Sequence, residues 1–184
     1  MKLKSTYPNM VIVLTLICAI SSLALAVTYG GTKDQIAAIQ QQLKMDLITQ
    51  VLPEFDNNPD SEKVVIGDAI LYPGKNNGQL IGVAVQAVSP IGYGGDVSIM
   101  AGFDPHGKIL GVQVLSHAET PGLGSNMTKP KFLNQFIGKK PTSFTLKVKK
   151  DGGDVDALTA ATISSRAFSD ALSRAWEAYQ KGSF

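Results

Sequence analysis

Between Met10 and Val27 the chain runs for 18 residues without a charge, and only Thr15, Ser21 and Ser22 interrupt its hydrophobicity. As a helix rising about 1.5 Å per residue, this segment spans roughly 27 Å, close to the ~30 Å hydrocarbon core of a bilayer. Lys2 and Lys4 precede it. The positive-inside rule therefore predicts a cytoplasmic N-terminus at 1–9, a transmembrane anchor at 10–28 and an extracytoplasmic remainder. A cleaved secretory signal competes with this reading, because Ala24-Leu25-Ala26 imitates a cleavage site. Cys18 follows the bulky Ile17, where a lipoprotein signal has a small residue, so it is read as a lipid-facing or helix-packing residue.

The rest of the 184-residue chain is long enough for one compact domain. A net charge of +2 with no lysine or arginine stripe argues against a nucleic-acid partner. The pair Lys149-Lys150, followed by Asp151, reads as a solvated turn. With one cysteine there is no internal disulfide and no multi-cysteine iron–sulfur or zinc site. Any redox role must then rest on a cofactor held by other side chains.

Ile36, Ile39, Leu43, Leu47 and Val51 form a helical stripe over Thr32–Leu52, with Met45 beside it as a packing residue. Gly30-Gly31 reads as a hinge at the membrane surface, making 29–58 a juxtamembrane helix and connector. Pro53 and Asp56-Asn57-Asn58-Pro59 stop that helix. The domain proper is 59–184. Its β-rich runs are Val64–Tyr72 and Gln79–Ser89, separated by a turn cluster at Pro73–Gly78. Asp96–Phe103 and Lys108–Ser116 follow, joined as a hairpin by Asp104-Pro105-His106-Gly107 with Gly107 at positive φ. His106 is thus an exposed turn residue. Phe132–Ile137 predicts a short helix and Ser143–Val148 a further strand. The fold class is α+β, a mainly antiparallel sheet with flanking helices.

Residues Asp156–Ser165 read D-A-L-T-A-A-T-I-S-S, where the polar loop Lys147–Asp156 gives way to a helix. Ala161, Phe168, Leu172, Ala175 and Tyr179 mark the buried face of that helix. Unpaired N–H groups and the macrodipole make a helix N-terminus suitable for a phosphate. Thr159, Thr162 and Ser164 read equally as ordinary N-cap residues. A second segment, His117–Gly124, reads H-A-E-T-P-G-L-G. Pro121 stiffens a turn there, while Gly122 and Gly124 let backbone approach a planar ring. Glu119 and Thr120 can hydrogen-bond a ligand, and Leu123 can cover a ring face; an exposed strand-terminating turn is the alternative. With only two histidines and no ligand cluster, His117 is structural and no metal site is expected. The loop Ile91-Gly92-Tyr93-Gly94-Gly95 lacks a following helix and is no nucleotide fingerprint.

The decapeptide resembles the flavinylation motif of the FMN-binding subunits of the Rnf and Nqr respiratory complexes. In that family an Asp, two variable residues and a hydroxyl precede Gly-Ala, followed by a hydroxyl, a variable residue and another hydroxyl. Asp156, Thr159, Ala161, Thr162 and Ser164 match, and Ala160 stands where the family usually has glycine. The E-T-P-G-L-G segment is similar to one in the same subunits, and the resemblance extends over the whole chain. It implies a retained anchor in the inner or plasma membrane and FMN held covalently on Thr162 through a phosphoester. It also implies a flavin site built from Glu119, Thr120, Leu123, Thr159, Ala161 and Ser164, with Tyr93 nearby. A magnesium-dependent flavin transferase using FAD would attach the cofactor, so no catalytic residue is expected in this chain. The implied role is that of the Rnf G subunit, an electron carrier in an ion-translocating complex. Its partners are the other Rnf subunits, with ferredoxin and NAD reached only through them. The alternatives are the C subunit of a sodium-pumping NADH:quinone oxidoreductase, which the short chain disfavours, and a non-redox, membrane-anchored β-rich binding module.

Overall fold

The computed structural model describes residues 6–182; Lys2 and Lys4, which set the expected orientation, lie outside them. The chain forms two compact units, Met1–Leu43 and Lys44–Phe184. In the first, α1 (Tyr7–Val51) begins and carries the uncharged run with its side chains exposed. It is long and apolar enough to cross a membrane and fits a single-pass anchor. The expected hinge is absent, because Gly30 and Gly31 are both α-helical. Two glycines cost a helix about 1 kcal/mol each but do not remove its hydrogen bonds. Thr28 and Thr32 on either side donate their hydroxyls back to Ala24 and Thr28 carbonyls, both at 2.9 Å.

The second unit is built on a five-stranded antiparallel meander in sequential order, β1 (Val64–Ile66), β2 (Ala69–Asn76), β3 (Gln79–Ser89), β4 (Val97–Phe103) and β5 (Ile109–Ser116). The last three agree with the expected runs, and Gly107 has φ 76° as its hairpin requires. Val64–Tyr72 differs: Gly67, at φ 59°, breaks it into the β1–β2 hairpin. The turn cluster also differs. Strand β2 continues through Pro73 to Asn76, and only Asn77 and Gly78 turn, at φ 49° and 77°. Two successive positive φ values make the tight connection that suits strand twist.

Pro73 is tolerated because it lies beyond the reach of short β1, facing an outer edge where no ladder donor is needed. Asn57 covers that edge instead. Its amide donates to the Pro73 carbonyl (2.9 Å), and its oxygen accepts from the Lys75 N–H (2.8 Å). Phe132–Ile137 is helical only in α2 (Pro130–Leu133). The strand expected at Ser143–Val148 does not form; the segment is irregular, with one parallel bridge from Val148 to Val155. Its apolar residues Leu146 and Val148 are nonetheless buried in the core, which is all their pattern signalled.

The sheet is covered on both faces, so β4 is buried at every residue rather than at alternate ones. One face carries Leu71, Val83, Val85, Ile99, Ala101 and Phe103 against the aromatic trio Phe132, Phe136 and Phe168. Helix α3 (Thr162–Lys181) packs across β2, β3 and β4 on this side. The other face holds Tyr72, Ala84 and Met100 against Leu47, Ile48, Val51 and Leu52, the end of α1. Met45 packs there too, as expected. Burial pushes the Tyr72 phenol up to about 12, so it stays protonated beside Gln86.

The end of α1 seats on paired glycines. Gly102 lies opposite Gly111, and a methyl on Gly102 would collide with the Val51 carbonyl. We expect Gly102→Ala to lower unfolding free energy by about 1–3 kcal/mol, the range for overpacking a rigid core. Urea unfolding of the domain gives the value, and an unchanged midpoint would show that the α1 seat is not rigid.

Candidate functional site

Antiparallel pairing places the β3–β4 loop and the segment after β5 at one end of the sheet, since Ser89 pairs with Val97 and Ser98 with Ser116. The N-terminus of α3 reaches the same end. There Glu119, Thr120, Leu123 and Gly124 line a cavity of about 520 Å³ with Tyr93 and the run Ala160–Ser164. Six of the seven residues predicted for the site, Thr162, Glu119, Thr120, Leu123, Ala161 and Ser164, therefore converge, and Tyr93 joins them. Thr159 does not. It lines a separate cleft with Asp156.

Glu119 is 5% exposed, which rules out the exposed-turn reading for it. Its Oε2 accepts from the Ser164 hydroxyl at 2.6 Å and its Oε1 from the Gly94 N–H at 3.2 Å. One carboxylate thus ties the helix start to the glycine loop. Each oxygen takes one protein donor, and the residue also lines the cavity. The His117 ring accepts from the Glu119 N–H at 3.1 Å, the structural role foreseen for it. The glycines follow from this packing. A methyl on Gly124 would meet the Ser164 and Glu119 oxygens, and one on Gly94 would collide with the Ala118 carbonyl. Gly122, at φ 78°, serves the turn alone.

The three hydroxyls proposed as caps do not cap. Ala161 is the N-cap residue and makes no side-chain cap bond. Ser165, which the pattern did not single out, accepts from the Leu158 N–H (2.9 Å) and donates to the Ala161 carbonyl (3.0 Å). The first backbone N–H to find an intrahelical acceptor is that of Ser165. Those of Thr162, Ile163 and Ser164 belong to the open first turn, which faces the cavity. Thr162 is half-buried at the cavity wall, whereas Ser164 is 2% exposed and already bonded to Glu119. Ile163 was also missed. It is 45% exposed, an apolar residue off the buried stripe of α3, and that misplacement is the signal that could have found it.

Ala160 adopts φ 58°, a left-handed conformation in a residue with a β-carbon. The loop before it is held in place from outside. The Asp156 N–H donates to Gln135 Oε1 (2.7 Å), and Gln135 Nε2 donates to the Asp156 carbonyl (3.3 Å). Arg166 grips Asp151 through two bonds of 2.6 and 2.7 Å and holds that carboxyl below its ordinary range.

Comparison with known proteins agrees with this geometry. An FMN-binding domain family model matches residues 92–177, a stretch that includes Tyr93, Glu119 and Thr162. The G subunit of the ion-translocating oxidoreductase complex of Aliivibrio fischeri (strain MJ11) is 37% identical over 180 residues, covering 89% of this chain and 86% of that one. That of Stutzerimonas stutzeri is 38% identical over 176 residues, covering 89% and 77%. The chain belongs to the family of G subunits of ion-translocating oxidoreductase complexes. A solved relative is the C subunit of the Na⁺-translocating NADH-quinone reductase from Parabacteroides distasonis. It has a TM-score of 0.52 and 25% identity, covering 72% of this chain and 78% of that one. The C subunits are therefore a related family, and the non-redox binding module is set aside by the FMN-binding domain.

The cavity of this G subunit fits a flavin mononucleotide. Its volume lies within the usual 300–1,000 Å³ of small-molecule sites. A turn of unpaired N–H groups suits a phosphate, and Leu123, Ile163 and Tyr93 offer apolar surface to a ring. Left-handed Ala160 carries strain of about 1–2 kcal/mol that glycine would not. Glycine gives back about 0.5–1 kcal/mol through its looser unfolded chain. Ala160→Gly should therefore leave stability equal or raise it by up to about 1.5 kcal/mol, while Ala160→Val lowers it. Thermal unfolding of the three proteins checks the order, and a clear loss in the glycine variant would contradict it.

Proposed function

We propose that this G subunit carries FMN as a phosphoester on Thr162. We further propose that it passes electrons between other centres of an Rnf-type ion-translocating ferredoxin:NAD oxidoreductase. The observation that carries this reading is the position of Thr162. It is the first residue of α3 and lines the cavity to which both motifs contribute. Of the motif hydroxyls, Ser164 is buried against Glu119 and Thr159 faces a different cleft. Both placements favour Thr162 as the acceptor.

Attachment needs no activated group in this chain. The Thr162 oxygen bonds to the flavin-side phosphorus of FAD, and the anhydride bond to AMP breaks. AMP leaves, and the hydroxyl proton passes to the flavin transferase that supplies magnesium and base. The N–H groups of Thr162, Ile163 and Ser164, at the positive end of the helix, would hold the phosphate, a site worth roughly 0.3–2 kcal/mol to an anion. FMN supplies one- and two-electron redox chemistry. Glu119 keeps the cavity wall closed, and Thr120 offers a hydroxyl beside it. Leu123 and Ile163 would offer apolar surface to the ring.

Thr162→Ala should fold, lose in-gel flavin fluorescence and abolish ferredoxin-dependent NAD reduction in membranes that still assemble the complex. A flavin-mass peptide on Thr159 or Ser164 would overturn the acceptor, and wild-type NAD reduction without FMN would overturn the electron-carrier role.

The same reading places the FMN domain outside the cytoplasm, where a dissociable flavin would be lost, with α1 retained in the inner or plasma membrane. A reporter joined after Phe184 should be active only on the outer side. A mature N-terminus beginning after Ala26 would mean that the helix is a cleaved signal instead.

A further inference from the structure

The cavity lined by Thr162 contains a charge that a phosphate site does not need. Glu119 lines it, is 5% exposed, and accepts one hydrogen bond at each oxygen, from the Ser164 hydroxyl and the Gly94 N–H. Both donors are neutral, and no lysine, arginine or histidine is among the residues lining the cavity. The positive element left there is the N-terminus of α3, equivalent to about half an elementary charge. Ser164 belongs to the first turn of that helix, so the carboxylate bonded to it already draws on the same half charge. The backbone closes round this carboxylate: a β-carbon on Gly92 or Gly124 would come within 2.9 or 2.5 Å of its oxygens. Being buried, it is screened by water and salt less than a surface charge is.

Free FMN and FMN joined to a hydroxyl differ in charge. A phosphomonoester carries about −1.5 to −2 near pH 7, because its second ionisation lies near pH 6. A phosphodiester has lost that acidic group and keeps a single negative charge. Half a positive charge, shared with a carboxylate, cannot offset a dianion. We infer that Glu119 makes the cavity selective for the linked form of the flavin, a specificity-determining role that rests on the Thr162 reading. Its charge keeps free FMN and other phosphomonoesters out, and leaves the site to a flavin held as a diester on Thr162. Repulsion grows in proportion to the charge of the ligand. Removing the carboxylate charge therefore helps a dianion most, a monoanion about half as much in free energy, and an uncharged flavin not at all. Ester formation on Thr162 thus serves retention twice, by tying the flavin and by removing one of the charges that Glu119 opposes.

The test uses the full-length chain in detergent, made without a flavin transferase so that Thr162 is unmodified. Three probes are titrated by flavin fluorescence at about pH 7.5: FMN, its methyl phosphodiester and riboflavin. Glu119→Gln keeps the side-chain size. It should bind FMN at least about tenfold more tightly than wild type, the methyl diester about threefold more tightly, and riboflavin equally. Thr120→Lys places a cation on the exposed side of the same cavity without touching the Glu119 bonds, and should give the same order of gains. It decides the matter alone if Glu119→Gln fails to fold. Added salt should shrink the FMN gain in both variants. A riboflavin gain equal to that of FMN would mean that shape changed rather than charge, and overturns the selectivity. So does FMN binding no tighter in either variant than in wild type, or a wild-type chain that prefers FMN to riboflavin by about tenfold. Each of these results leaves a flavin-mass peptide on Thr162 of the matured protein unaffected. Absence of that peptide would remove the Thr162 reading and the selectivity together.

Discussion

A single buried carboxylate holds three otherwise separate segments in register. Glu119 reaches from the turn after β5 to Gly94 in the β3–β4 loop and to Ser164 in the first turn of α3. A charge taken out of water is costly unless its oxygens are bonded, and breaking such a network by removing one partner strands the others. The three segments therefore move together or not at all. Gly92, Gly94 and Gly124 are consequences of that arrangement. Each passes so close to Glu119 or its neighbours that a β-carbon would overlap them. A second tie, from the Ser89 hydroxyl to Asp170 at 2.7 Å, keeps α3 in the same register on the sheet. The open N–H groups of the helix thus face a wall whose position is already determined.

What could be read in advance depended on whether the physics was local. Strands β3 to β5 are bounded by turn residues and by their own apolar content, and Gly107 is demanded by a two-strand connection. All were legible. So was the buried stripe of α3, because Phe168, Leu172 and Ala175 repeat at helical spacing. Pro73 misled because its tolerance depends on β1 being three residues long, which is a property of the sheet rather than of the proline. Ser143–Val148 misled for a related reason. Apolar alternation reports burial, and burial here is satisfied by the aromatic cluster around Phe136 and Phe168 without strand pairing. Gly30-Gly31 looked like a break because glycine weakens helices, yet nothing nearby opposes helix there.

At the candidate site, residue types were legible and their division of work was not. Glu119 was identified as polar chemistry for a ligand, but its bonds to Ser164 and Gly94 join segments far apart in sequence and could not be read from it. The hydroxyl-rich run was identified as a capping or phosphate site, but choosing among Thr159, Thr162 and Ser164 needs the direction of each side chain. Ser165, which holds the loop before α3, is the fourth hydroxyl in the same run, and no spacing rule separates it from the others. Gln135 lies 21 residues from the Asp156 backbone it holds, so only the tertiary fold reveals that pair.

The geometry also bears on why a covalent bond would be used at all. Leu123, Ile163 and Tyr93 are 43%, 45% and 73% exposed, so the apolar wall they form is shallow and open. Buried apolar area drives noncovalent retention at about 25 cal/mol per Å², and an open wall buries little of a ring. The helix N-terminus adds at most about 2 kcal/mol. Deepening the cavity would improve retention, but it would also distance the ring from any redox partner. The proposed phosphoester on Thr162 would separate the two requirements. Retention would no longer depend on the walls, which would then be free to set ring orientation and potential while one edge stays near the surface. The strained loop at Ala160 is consistent with this division. On the proposed reading, it would hold the Thr162 hydroxyl at a fixed point on the cavity wall.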